Sequence, residues 1–249
     1  VQFALSAKDV AVIHGPPGTG KTTTIVELIR QAVVQGNKVL VCAPSNLAVD
    51  NVFERLLAAG EKAVRLGHPA RVLPELRAHT LDLLVDRHED VRLARKLVRE
   101  AFALREKAGK HTRAQPVSGA RREMRDEAKQ LIIDARRLEA QVVQHILDKS
   151  TVLCATLTGM DSEVLGARTF DLAVVDEACQ ATEPSCWIPV LRSDRIVLAG
   201  DHCQLPPTVV SRDAARQGFN VSMLERLVHR FGNQIARQLS GPYRMPRVR

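Results

Sequence analysis

Gly15–Thr22 reads GPPGTGKT. The stretch matches G-x-x-x-x-G-K-[ST], a loop that cradles nucleotide phosphates when it joins a strand to a helix. Both neighbours are present. Val10–His14 (VAVIH) is a compact β-branched run that reads as a buried strand, and Thr22–Gln35 carries Ile25, Leu28, Ile29, Ala32 and Val33 at helical spacing. Gly15, Gly18 and Gly20 let the backbone curl so that successive N–H groups face one phosphate. A helix starting near Lys21 adds its positive end. Lys21 supplies a mobile ammonium for the outer phosphates, and the Thr22 hydroxyl suits Mg2+. Pro16, Pro17 and Thr19 complete the loop and Thr23 follows it, so the candidate ATP-binding segment runs from Gly15 to Thr23.

Outward from the loop, short apolar runs alternate with helical patterns. Lys38–Ala43 (KVLVCA) reads as a second buried strand. Ser45 or Asn46 can cap a helix with Val49, Val52, Phe53, Leu56 and Leu57 on one face, and Ala63–Leu66 is a short strand candidate. Further along, Thr151–Ala155 (TVLCA), Leu172–Val175 (LAVV) and Ile196–Ala199 (IVLA) are again continuously apolar. Runs apolar on both sides of the pleat indicate strands covered on both faces, as in a parallel sheet. The expected fold is therefore a doubly wound α/β domain.

Residues 73–148 differ. They lack a convincing strand, and His88–Ala108 and Gly119–Leu147 read as long helices. Between Lys107 and Arg125 the chain holds six basic residues and Glu123 alone, with Gly109, Pro116 and Gly119 marking a turn. This is either a solvated helical hairpin or a helical insertion whose basic tip touches nucleic-acid phosphates. The expected domains are thus 1–72 with 149–249, and the insertion 73–148.

Composition narrows the function classes. The chain has 249 residues, 45% hydrophobic and 26% charged, with a formal net charge of +8. It contains no uncharged apolar run near 18 residues, so no membrane span is expected. The first residues lack the pattern of a secretory leader. Five cysteines without a C-x-x-C pair argue against a disulfide framework or a zinc ribbon, and favour an intracellular site, cytoplasmic or nuclear. The excess of basic residues suits a polyanionic partner. Eight aromatic residues are too few for a sheet that stacks a row of bases. A start at Val1 and an end at Arg249 in mid-pattern lead us to expect a piece of a longer protein.

A phosphate loop needs an acid at a neighbouring strand end. Asp171–Glu177 reads DLAVVDE. Asp176 emerges just after the apolar run, where its carboxylate can hold Mg2+ through water, and Glu177 is placed to orient or deprotonate an attacking water. No N-K-x-D stretch that would read guanine accompanies them, which favours ATP.

Five segments then occur in a fixed order: GPPGTGKTTT, CAPSNLAVDN (Cys42–Asn51), DEACQATE (Asp176–Glu183), GDHCQLPPT (Gly200–Thr208) and YRM (Tyr243–Met245). The series resembles the first RecA-like domain of superfamily 1 helicases of the Up-frameshift type. RLGHPAR (Arg65–Arg71) and SCWIP (Ser185–Pro189) draw it towards the immunoglobulin-mu-binding-protein-2-like branch. The resemblance implies a RecA-like P-loop NTPase domain with a parallel sheet and a helical insertion. It also implies ATP hydrolysis coupled to movement on single-stranded DNA or RNA.

Residue by residue, the resemblance makes Gln204 a sensor of the γ-phosphate, Asp201 a support for the Mg2+ shell and Arg244 a stabiliser of developing charge. Tyr243 becomes the aromatic that stacks on adenine. Pro44, Ser45 and Asn46, with Thr156 and Thr158, line the single-strand track. Helix capping is the plainer role for Ser45 and Thr156. The family works with a second RecA-like domain, which these residues do not include. An ATP-gated clamp that remodels complexes without unwinding is the alternative, and a signalling NTPase a third. Cys42, Cys154 and Cys179 read as small core residues, Trp187 as packing, and His202 with Cys203 as no metal pair.

Overall fold

A computed structural model of the chain describes residues 1–239 other than Pro17, residues 110–118, Asp161, His202 and Gln204. In chain order the elements are α1 (Gln2–Leu5), β1 (Val10–His14), α2 (Lys21–Val34), β2 (Val39–Ala43), α3 (Asn46–Ala58), β3 (Ala63–Arg65), α4 (Leu81–Arg87), α5 (Glu89–Gly109), α6 (Ala120–Lys149), β4 (Val152–Thr156), α7 (Ser162–Leu165), β5 (Leu172–Val175), α8 (Glu183–Val190), β6 (Ile196–Gly200), α9 (Arg212–Ala214), α10 (Met223–Phe231) and β7 (Ala236–Gln238).

The seven strands form one sheet in the order β3-β4-β2-β5-β6-β1-β7, and every pairing is parallel. All five residues of β2 and of β6 are buried, as continuous apolar runs require when both faces are covered. Helix α2 buries Ile25, Leu28 and Ile29, each contributing roughly 1.5–3 kcal/mol of gross burial energy. Helix α3 adds Val49, Val52, Phe53 and Leu56 to the same core.

The chain divides into two compact units. One is the α/β unit, formed by residues 1–80 and from Ser150 onward, and the other is Leu81–Lys149. The helical stretch thus starts later than residue 73. Val72 and Leu76 lie in the sheet's core, and the Leu73 N–H donates to Asp50 Oδ2 at 3.0 Å, which ties this segment to α3.

The helical unit is α4, α5 and α6. Helix α5 buries Ala94, Ala101 and Ala108, and α6 buries Ala128, Ala135 and Val142. Seven-residue spacing on both helices makes a narrow seam of small side chains, a coiled-coil period without bulky knobs. Enlarging that seam should be costly. Ala101→Leu is expected to destabilise the helical unit by about 1–3 kcal/mol, read as a lower melting transition. The exposed Ala103→Leu should leave the transition within about 0.5 kcal/mol of the unmodified chain.

Candidate active site

In a parallel sheet all strands end along one edge. The register sets His14 beside Gly200, Val175 beside both Leu198 and Cys42, and Ala43 beside Thr156. The loops after β1, β2, β4, β5 and β6 therefore emerge side by side. Strand β6 stands between β1 and β5, so the glycine loop and the acidic pair start about 10 Å apart. The side chains of Lys21 and Glu177 together close that gap.

The glycine loop is built from local bonds. The Gly15 N–H donates to the Gly200 carbonyl at 3.0 Å, which ties the loop to β6. The Thr19 hydroxyl donates to the Pro16 carbonyl at 2.7 Å. Gly18 and Gly20 have φ of 79° and 83°, the left-handed region that favours glycine. A Cβ on Gly15 would lie 3.1–3.2 Å from Thr19 Oγ1, Leu239 Cδ1 and Lys21 Cβ, so the turn closes tightly on itself. Gly20 precedes α2 without a side-chain cap, leaving first-turn N–H groups of the helix available to an anion. Thr22 sits half-buried in that first turn. Thr23 is engaged elsewhere, because its exposed hydroxyl accepts from Arg55 Nη1 at 3.3 Å. Thr24 donates its own hydroxyl to the Gly20 carbonyl.

Lys21 Nζ lies 2.8 Å from Glu177 Oε1. Asp176 is buried beside this pair, at 4% exposure, and its Oδ1 accepts from the Glu177 N–H at 2.9 Å. Burial pushes the Asp176 carboxyl up to about 6; the Lys21 ammonium opposes that shift and the Glu177 carboxylate adds to it. Glu177 has φ of 50°, the one non-glycine residue with positive φ among those described. The chain reverses there, and such strain gathers at functional turns. The Cys179 thiol packs 3.9 Å from Glu177 Oε2. A Cβ on Gly200 would lie 3.1 Å from the Cys179 backbone nitrogen, so β6 packs closely against this turn. Asp201 follows, buried, 3.6 Å from His14 Nε2 and accepting from the Cys203 N–H at 3.0 Å.

Chemically, the arrangement offers an ammonium, backbone donors and two carboxylates around one short gap. Thr22 and Asp176 are hard oxygen donors, as Mg2+ prefers, and one acid with one hydroxyl leaves positions for phosphate and water. No cluster of three or more His, Cys, Asp or Glu able to hold a metal ion exists among the described residues.

Two neighbouring loops carry the residues assigned to a strand. Ser45 is exposed, and its hydroxyl caps α3 by accepting from the Ala48 N–H at 3.2 Å. Asn46 Oδ1 accepts from Arg65 Nη2 at 2.8 Å, while Pro44 is half-buried. The Leu157 N–H donates to the Ala43 carbonyl, so the loops after β2 and β4 run together. Thr158 is exposed. Thr156 is half-buried, and a Cβ on Gly159 would fall 2.3 Å from its hydroxyl. Pro17, Gln204, Tyr243 and Arg244 lie outside the described residues.

Some features escaped the sequence reading. Strand β7 pairs with β1, and the Leu239 N–H donates to the His14 carbonyl behind Gly15. ARQ has no apolar pattern to announce a strand. The His14 and Asp201 pairing was signalled only by their positions at two strand ends. Trp187, expected to pack, is 47% exposed and lines a groove of about 530 Å3 with Met223, Leu227 and Phe231. Its helix is short and buries Cys186 and Pro189. Cys42, Cys154 and Cys179 are buried as expected. Burial pushes the Cys154 thiol up to about 12, outside the reactive range.

The chain matches known proteins along nearly its whole length. The AAA domain family matches residues 1–212. DNA-binding protein SMUBP-2 of Rattus norvegicus is 46% identical over 249 residues, covering 98% of this chain and 25% of that protein. DNA polymerase alpha-associated DNA helicase A of Schizosaccharomyces pombe is 41% identical, with 98% and 36% covered. A regulator of nonsense transcripts 1 homolog of Arabidopsis thaliana is 37% identical, with 89% and 16% covered. The chain thus spans about a quarter to a third of the length of the first two. With the parallel sheet and the glycine loop facing an acidic turn, the match over residues 1–212 makes the chain a member of the AAA domain family.

Proposed function

We propose that the chain is the ATP-hydrolysing first motor domain of a nucleic-acid helicase or translocase. The observation that carries the reading is the 2.8 Å contact between Lys21 and Glu177 beside buried Asp176. Three groups from distant parts of the sequence converge where a strand-to-helix glycine loop opens. The names of two relatives, a DNA-binding protein and a DNA helicase, support a nucleic-acid partner.

The residues divide the work. The N–H groups of Gly15–Thr22 and the start of α2 bind the phosphate chain. Lys21 exchanges its carboxylate partner for an outer phosphate oxygen, which releases Glu177. The freed Glu177 then orients an attacking water and takes its proton. Thr22 and Asp176, supported by Asp201, would hold Mg2+, whose charge would offset that of the phosphates. Gln204 and Arg244 sense and stabilise the γ-phosphate, and Tyr243 stacks on the adenine. Backbone N–H groups of Ser45 and Asn46, which follow Pro44, and those around Thr156 and Thr158 grip a single strand of DNA or RNA. Movement along that strand needs a second RecA-like domain, which closes the cleft on the nucleotide. Free thiols throughout fit a reducing intracellular compartment, cytoplasmic or nuclear. Strand displacement separates this motor from an ATP-gated clamp, which would hydrolyse ATP without opening a duplex.

Three outcomes test the site. The ATPase rate of the chain joined to its second motor domain is expected to rise with single-stranded DNA or RNA, and a rate indifferent to both would contradict a strand-coupled motor. Glu177→Gln removes the base and also the rival partner of Lys21. Hydrolysis should fall about 10²- to 10⁴-fold, while binding of a fluorescent ATP analogue stays equal or becomes tighter.

The third outcome concerns pH. An unfolded aspartate titrates near about 3.9, and folded Asp176 at about 6. A raised carboxyl contributes stability that is complete below the unfolded value and is lost as pH rises through the folded one. Metal-free and nucleotide-free protein should therefore gain on the order of 2 kcal/mol from Asp176→Asn at pH 7.5, and little at pH 4. Chemical denaturation at the two pH values measures this. An equal effect at both would exclude the buried carboxyl as its cause.

A further inference from the structure

Arg65 ends β3 and is 1% exposed. A guanidinium this deep is costly unless its donors are met. Nε donates to Asp50 Oδ1 at 2.9 Å, Nη1 to the Leu66 carbonyl, and Nη2 to Asn46 Oδ1 at 2.8 Å. The second Asp50 oxygen accepts from the Leu73 N–H at 3.0 Å. Asn46 and Asp50 stand four residues apart on α3, on one face of its first turn. One buried cation therefore pins both.

The consequence falls on Asn46. A carboxamide has an acceptor oxygen at one end and two N–H donors at the other. Arginine offers donors only, so the amide must turn its oxygen inward. Asn46 Nδ2 has no partner among the described residues, and no buried side-chain nitrogen or oxygen among them lacks one. The NH2 group is therefore open to solvent. It stands at the start of α3, in the loop that leaves β2 alongside β4.

We infer that Arg65 is a positioning residue for strand binding: it locks the Asn46 carboxamide so that only N–H donors face the sheet edge. A phosphate oxygen only accepts, so a donor-only amide suits it at either oxygen. An unrestrained amide would rotate, presenting its oxygen part of the time and losing side-chain freedom on binding. The inference rests on the strand track proposed above.

Fluorescence anisotropy of the chain with labelled oligo-dT and oligo-U, with melting curves of each variant, tests it. Asn46→Ala is expected to weaken strand binding about fivefold to tenfold. Arg65→Lys keeps a cation for Asp50 but cannot hold both partners, and should weaken binding by a similar factor. In the Asn46→Ala background, Arg65→Lys should then add no further loss. Asn46→Asp guards against a folding artefact. Its carboxylate still accepts from Arg65, so the melting temperature is held or raised, while strand affinity falls more than about tenfold. If Arg65→Lys weakens binding equally with and without Asn46, or if Asn46→Asp binds normally, the positioning role is overturned while the strand track stands. If the unmodified chain binds neither oligonucleotide, the track itself fails and this role with it.

Discussion

The site depends on an ammonium and two carboxylates drawn together where the strands of the sheet end. Lys21 comes from the first turn of α2 and Glu177 from the turn after β5, yet their charged ends meet at 2.8 Å. That contact is possible because the sheet is wholly parallel and its strands finish along one edge. On the proposed reading it is also a contact that nucleotide binding breaks. A lysine paired to a carboxylate is satisfied at rest, and a polyphosphate with its counter-ion competes for both partners at once. Asp176 shares the tension: burial pushes its carboxyl up to about 6, and a bound cation would favour the ionised form.

Around this centre, close backbone approaches set the geometry. Gly200 admits the Cys179 turn against β6, and Gly15 folds between Thr19, Lys21 and Leu239. Glu177 accepts a left-handed backbone at its own expense. The neighbouring loops after β2 and β4 use a different device. There a buried arginine organises a helix start, and the same edge offers an acidic, metal-suited half and a donor-rich half. The two halves share strands β2 and β5, which pair directly.

Much of this was legible in the residues. β-branched runs announced the buried strands, because strands covered on both faces cannot alternate. GPPGTGKT and DLAVVDE carried their own geometry, since curled amides need glycine and a metal-facing acid needs a strand end. What stayed hidden depended on contacts between distant segments. Ala236–Gln238 is a strand only because β1 offers it a free edge. The domain boundary moved to residue 80 because Val72 and Leu76 found room in the sheet's core. Arg65 looked like one charged residue in RLGHPAR, and nothing in local spacing shows that Asp50 and Asn46 converge on it.

The most direct measurement of the central claim is a crystal structure of the chain grown with Mn2+ and a non-hydrolysable ATP analogue, with the manganese located by its anomalous signal. The account requires the metal beside the Thr22 hydroxyl and within one water of Asp176. It also requires Lys21 to have moved from Glu177 to a phosphate oxygen. Nucleotide bound away from the glycine loop, or a lysine still paired with Glu177 while phosphate occupies the site, would contradict it.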